Sequence, residues 1–424
     1  MAANGATDQD PGCIILRRPR RRPPPPHTPA GRTRRTVARA GDSGARAKCK
    51  TYTRHNPEPA RERVTAVIEG EAAGSTRAPR ADVRRPDPRA LTLPSLADAA
   101  AWLARFTPPY AFGDFFAPED TVLCALATRA ALVHARPAGG GRVAELTAGS
   151  AVVLADALLV DGSRRGAATE LDDSAVRRAR ANLAALGLGR RSAVARTGLF
   201  SRGLPRWLRA FRPDVVACNP PYIPEPPNAA LALVAGAGAD GARHPRRAIH
   251  AAARAGVPRL VLSWCSLGDP AGVVRTAARA GYTLATLWTA LIADGEYSGE
   301  VEVYEYARQL PTAFLTQDPA TLRALAPDGS ARFGYLLLAG EFVRGSARRA
   351  DTRRAGAPAA VMVDALVRDF ARTGVSALEQ RADGRPVSIG SGVACHWFAA
   401  DRWDELRMRA LAHGTADAGE RGEA

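Results

Sequence analysis

The sequence predicts an α/β protein built on a doubly wound, mostly parallel sheet of seven strands. A small helical N-terminal subdomain and a disordered basic tail precede the sheet. Three observations lead there. Short apolar, β-branched runs alternate with helix-patterned segments over roughly 165 residues. The first of those strands runs into a bend of small residues, "ELTAGSAVV" at 145–153, where such sheets bind ligands. The first 90 residues hold 20 Lys/Arg against 9 Asp/Glu, so +11 of the net charge of +17 lies in front of the sheet.

Residues 1–90 are rich in Arg, Pro, Gly and Ala and show no sustained apolar period. Such a segment buries too little surface to offset its chain entropy, so disorder is expected. It is either an electrostatic tether for RNA, DNA or the ribosome, or a dispensable extension. Residues 91–136 form the helical subdomain. "SLADAAAWLARF" opens on Ser95 as N-cap, and "APEDTVLCALATRAALVHA" (117–135) places Val122, Leu123, Leu126 and Ala130 on one helical face.

Residues 137–310 carry the sheet. "RVAEL", "GAATEL", "SAVAR", "DVVAC" and "RLVLSW" read as strands. Between and after them lie helices at "SAVVLADALL", "DSAVRRARANLAAL", about 246–255 and 269–280. "YTLATLWTAL" and "EVEVYEYAR" read as a closing antiparallel pair around the turn "ADGEYSGE". Residues 311–424 form a C-terminal extension with strand character in "FGYLLLAGEFVRG" and helix character in "PAAVMVDALVRDFART". No motif there points to a role.

Composition narrows the function classes. Lys48 and Lys50 are the only lysines, and so heavy an arginine bias suits a GC-rich genome better than a selected nucleic-acid surface. Arginine near phosphate would bind it all the same. The cysteines, Cys13, Cys49, Cys124, Cys218, Cys265 and Cys395, show no CxxC or Cys/His ligand spacing. They read as reduced thiols of a cytoplasmic protein, with no metal centre. No apolar run approaches the roughly 20 residues that span a bilayer, and "CIIL" at 13–16 is too short for a signal-peptide core. No membrane association is expected.

Candidate site residues fall at strand ends. In "ELTAGSAVV", Gly149 lets the backbone approach a ligand, and Thr147, Ala148 and Ser150 keep the space open. Glu170 ends the second strand, where a carboxylate can accept from both hydroxyls of a ribose. Bend and acid fit a nucleoside cofactor, either a dinucleotide or S-adenosyl-L-methionine.

"NPPY", Asn219 to Tyr222, follows the fourth strand and faces the same crevice. A planar –NH2 group carries two donor hydrogens and a delocalised lone pair. The Asn219 side-chain oxygen and the Pro220 carbonyl are two acceptors for those hydrogens, the prolines stiffen the chain, and Tyr222 offers a flat face. Held so, the nitrogen can aim its lone pair at an electrophilic methyl. Hydride transfer has no use for such a clamp.

From about Phe112 to Arg308 the chain resembles the class I S-adenosylmethionine-dependent methyltransferases. Within them it is most similar to the HemK-type protein-(glutamine-N5) methyltransferases of release factors. "FFAPEDTVLCAL", "ELTAGSAVVLA", "ATELDDSAVRRARANLAALGL" and "NPPYIPEPP" carry the resemblance, with a looser echo in "AGADGARHPRRAIHAA". It implies a Rossmann-like sheet of order 3-2-1-4-5-7-6 and S-adenosyl-L-methionine as cofactor. It also implies methionine-moiety contacts around Glu145, Thr147 and Gly149, Glu170 on the ribose, and Asn219, Pro220 and Tyr222 as the acceptor clamp. Three departures stand out. Thr147 and Ala151 replace two glycines of the bend, and Gly198 replaces an acid that serves the adenosine. Crowding of the bend and loss of that acid could each cost about 1–2 kcal/mol of cofactor binding.

The expected activity is N-methylation of a planar amide or amine nitrogen, with a release-factor glutamine as acceptor and so a protein partner. A nucleic-acid amino-group methyltransferase using the basic tail, and a non-catalytic binder of the same fold, are the competing readings. Oligomeric state has no signature in the sequence.

Overall fold

The computed structural model describes residues 106, 110–112, 116–135, 141–227, 229, 231, 234–326, 328–345, 349–374, 387–389 and 393–398. The tail at 1–90, and the helix expected from Ser95 apart from its last residue Phe106, lie outside the described residues.

Helix α1 (Pro118–Ala135) comes first. Then β1 (Arg142–Leu146), α2 (Val152–Val160), β2 (Arg165–Glu170), α3 (Asp173–Ala185), β3 (Ser192–Arg196) and α4 (Leu204–Phe211) alternate. They are followed by β4 (Val215–Cys218), α5 (Arg243–Ala255), β5 (Arg259–Cys265), α6 (Pro270–Arg279) and β6 (Tyr282–Ala293). The remainder is α7 (Val301–Gln309), β7 (Leu315–Thr316), α8 (Pro319–Leu325), β8 (Gly334–Arg344), α9 (Arg349–Thr373), β9 (Val387–Ile389) and β10 (Val393–Phe398).

The strands form one sheet in the order β3-β2-β1-β4-β5-β8-β6-β10-β9, with β7 paired to β8. Pairing is parallel from β3 through β5 and antiparallel on both sides of β8. The order implied by the resemblance is therefore present, with β8 in the seventh-strand position. Strand order reverses between β1 and β4, which puts the crevice for a ligand at their carboxyl ends.

Two expectations are corrected. "EVEVYEYAR" is helix α7, not a strand. Its alternating valines suit a strand locally, but Val303 and Ala307, one helical turn apart, are buried while Val301 is 61% exposed. The antiparallel partner of β6 is instead β8, read from "FGYLLLAGEFVRG", which lies beyond the boundary placed at residue 310. The segment after 310 thus supplies a central strand, and β9 and β10 extend the sheet past seven.

Core packing explains the local choices. β4 is buried on both faces, as a central parallel strand should be. At Gly340 in β8 an added Cβ would stand 2.7 Å from the Trp264 ring, so the missing side chain makes room for the largest fully buried one. Two polar devices fix α1. Arg129 makes a bidentate ion pair with buried Asp156 of α2. Farther along, Glu341 of β8, fully buried, takes Arg259 and the His134 ring, whose Nδ1 lies 2.8 Å away.

Candidate active site

The bend after β1 is held in an unusual backbone. Thr147, Gly149 and Ala151 all have positive φ, at 53°, 51° and 63°. Thr147 and Ala151 therefore keep the left-handed conformation that glycine adopts freely, at a cost of about 1–2 kcal/mol each. Thr147 gains something in return. Its hydroxyl lies 3.1 Å from the Asn219 carbonyl and so ties the β1 bend to the β4 turn. Over Gly149 the space is open, with nothing within 4 Å of an added Cβ.

Two carboxyls converge on this bend. Glu145 is 5% exposed, and its Oε2 accepts the Leu154 amide of α2 at 2.9 Å. Burial, with the Glu170 charge nearby, pushes its carboxyl up to about 8. Glu170 accepts the Gly149 amide at 2.9 Å through one oxygen and the Leu171 amide through the other. Glu145, Thr147, Gly149 and Glu170 are thus brought together as expected.

Sequence reasoning missed the cover on this side. The Tyr110 hydroxyl donates to the Ser150 carbonyl at 2.8 Å. Asn182 of α3 holds the Ala111 backbone through both of its polar atoms and also reaches Ser150. Phe106, Tyr110, Phe112 and Phe116 pack at tilted angles into one aromatic cluster beside it. Gly198, where the adenosine acid was expected, faces Leu171, whose Cδ1 would sit 3.2 Å from an added Cβ.

The turn after β4 is braced by a second strip of chain. Ile223 pairs with Ala235 and Ala237, and Glu225 with Gly238, all through backbone bonds. Gly241, at φ +63°, lies under the turn, where a Cβ would stand 2.6 Å from the Tyr222 carbonyl. The "AGADG" stretch is therefore a buttress for "NPPY".

Within the turn, the Asn219 Oδ1 is buried and has no hydrogen-bond partner among the described protein atoms. Burying an acceptor without a donor costs about 1–3 kcal/mol, so such an atom calls for an incoming donor. Tyr222 departs from expectation. Its ring is 7% exposed, packed in the core, and its hydroxyl donates to Asp120. It forms a wall of the site, not an open stacking platform, because a buried hydroxyl needs a partner and Asp120 supplies one. The Asn219 side chain lies close enough to the Asp120 carboxyl to favour its charged form. Burial pushes the Asp120 carboxyl up to about 6, against the lowering effect of the Tyr222 hydroxyl and the Asn219 amide. Asp120 was not singled out from sequence; the only signal was its place in "APEDT".

Cys124, Cys218 and Cys265 are buried free thiols. Among the described residues no cluster of three or more His, Cys, Asp or Glu could hold a metal, and no helix is long and apolar enough to cross a membrane.

No protein-family model matches the chain. No curated protein matches it either. Among solved structures it is similar to a Pyrococcus horikoshii protein described as a candidate RNA methyltransferase. Identity is 14% and the TM-score 0.36, over 58% of this chain and 97% of that one. It is also similar to a precorrin-6y C5,15-methyltransferase from Geobacter metallireducens, at 17% identity and TM-score 0.30, over 50% of this chain and 85% of that one. A third is an RNA methyltransferase of Salinibacter ruber in complex with S-adenosyl-L-homocysteine, at 15% identity and TM-score 0.24, over 36% of this chain and 78% of that one. At such distances the likeness carries no substrate or reaction to this chain, and the strand order stands by itself.

Proposed function

We propose that the protein is an S-adenosylmethionine-dependent N-methyltransferase acting on a planar amide or amine nitrogen, with the glutamine side chain of a translation release factor as acceptor. One observation carries the reading: the buried, unpartnered Asn219 oxygen stands on a turn whose carbonyl lies 3.1 Å from the Thr147 hydroxyl of the β1 bend. The two half-sites adjoin where Thr147 approaches the Asn219 carbonyl.

The residues fit the cofactor. The open space over Gly149, two carboxyls at the adjoining strand ends and the exposed apolar side chain of Leu171 suit a cationic, nucleoside-bearing ligand. When bound, the cofactor supplies a methyl group on a sulfonium. Glu145 and Glu170 favour its positive charge. Asn219 Oδ1 and the Pro220 carbonyl take the two hydrogens of the acceptor –NH2 and so direct its lone pair. As the nitrogen becomes positive these acceptors bind it more strongly, which lowers the barrier. Tyr222 and the buried turn exclude water. The product nitrogen then sheds a proton and needs no dedicated base.

The test is incubation of the full chain with deuterated-methyl S-adenosylmethionine and a glutamine-bearing release-factor peptide, read by mass spectrometry. Methylation of the glutamine, lost in Asn219→Ala while S-adenosyl-L-homocysteine still binds, is expected. No label on the peptide but label on tRNA, rRNA or DNA would move the acceptor to a base amino group. That second reading draws support from Phe200, 46% exposed beyond β3 with the Arg243 and Arg247 guanidiniums 4.9 and 5.8 Å from its ring. No binding of either cofactor form would leave only a non-catalytic binder.

A further inference from the structure

We propose that Asp120 is a positioning residue that sets which end of the Asn219 amide faces the acceptor; the role rests on the N-methyltransferase reading. An asparagine side chain is nearly symmetric in shape and opposite in chemistry at its two ends. A clamp for –NH2 works only with the oxygen presented, because the amide nitrogen would meet the acceptor donor to donor. Something must break the symmetry.

Asp120 does so. It sits in the first turn of α1, 6% exposed, accepts the Tyr222 hydroxyl, and has the Asn219 side chain near enough to favour its ionised form. An ionised carboxylate only accepts hydrogen bonds, so the Asn219 atom that faces it is Nδ2. Oδ1 must then point away from Asp120, and it is this oxygen that lacks a partner. Tyr222 donates to the same carboxylate and keeps it from swinging. The turn, α1 and the orphan acceptor form one constraint, joined across 102 residues of chain.

The constraint lasts only while the carboxyl is ionised. A protonated carboxyl or a carboxamide also donates, and could hold Asn219 by its oxygen with the amide turned over. The titratable groups facing Asp120 are Tyr222 from the β4 turn, Cys265 from β5, Tyr335 from β8 and Cys124 from α1 itself. None of them is a cation. Burial outweighs the Tyr222 bond and the nearby Asn219 amide and pushes the carboxyl up to about 6, so the orientation should fail just below neutral pH.

The experiment is an NMR pH titration of the full chain carrying isotope-labelled asparagine, with the Asn219 –NH2 resonance assigned by its loss in Asn219→Ala. Slow exchange and a hydrogen-bonded shift at pH 7.5 are expected, collapsing with a midpoint near 6. In Asp120→Asn the resonance should lose that pH dependence. An Asn219 resonance that does not titrate, or behaves alike in both proteins, overturns the proposal. Should Asp120→Asn fail to fold, the wild-type titration decides alone. In the peptide methylation assay, Asp120→Asn should lower kcat at least tenfold with S-adenosyl-L-homocysteine affinity unchanged, and Asp120→Glu should recover part of it. Unchanged kcat would also overturn the role. A wild-type protein that binds cofactor but methylates no acceptor would sink the N-methyltransferase reading, whatever the amide resonance shows.

Discussion

Replacing Glu145 by glutamine should make the protein more stable, and increasingly so as pH rises. Glu145 is buried at the end of β1, and its carboxyl is pushed from 4.5 to about 8. The folded chain therefore retains a proton that the unfolded chain releases. Stability linked to this group is complete below pH 4.5 and falls as pH climbs toward 8. At 1.36 kcal/mol per pH unit the loss is about 3 kcal/mol at pH 7 and about 5 kcal/mol from pH 8 upward. A glutamine in its place would mimic the protonated acid and keep an oxygen for the Leu154 amide. Thermal melts of both proteins from pH 4 to 9 should nearly coincide at the acid end and separate above it. The separation at pH 7 should be on the order of 6–12 °C, taking 2–4 °C per kcal/mol. The cost should appear in function, because a sulfonium ligand would lose one of its two carboxylates. Calorimetry should show proton release when S-adenosylmethionine binds the wild type and none with the variant. Parallel melting curves across the range would mean that Glu145 is ionised at neutral pH, and the reasoning would fail.

Three further substitutions probe the frame around the site. Gly241→Ala would drive a methyl against the Tyr222 carbonyl; methyl transfer should fall at least tenfold while calorimetric binding of S-adenosyl-L-homocysteine persists. Ala151→Gly should relieve the left-handed strain and raise stability by about 0.5–1 kcal/mol in urea melts, with cofactor affinity retained or improved. Arg129→Ala would leave the Asp156 carboxylate buried without its guanidinium, and denaturation should show a loss of about 3–5 kcal/mol.

Much of the frame was legible because its signals are local. The short apolar runs before Gly149, Glu170 and Asn219 are strands, and the three site segments meet because parallel strands bring their carboxyl ends to one edge. What escaped was decided at long range. Asp120 reads in sequence as a favourable acid in the first turn of a helix; only its contact with Tyr222 gives it a second meaning. Tyr222 reads as an exposed aromatic until the same contact turns it inward. "EVEVYEYAR" alternates like a strand, and burial of Val303 and Ala307 overrules the alternation. Thr147 and Ala151 read as losses from a glycine bend, yet the backbone holds the glycine conformation without the glycines. The strand β8 was legible as a strand but not as a member of the sheet, since nothing local to it names β5 and β6 as partners.

That late strand bears on how the chain is made. Until the ribosome has added residue 344, β5 and β6 have no neighbour between them, and each exposes a row of unpaired amides and carbonyls. A nascent chain stopped near 310 would carry two sticky margins in place of one continuous surface, and would be prone to self-association or capture by holding chaperones. Shortened versions made for expression should accordingly retain everything through Arg344.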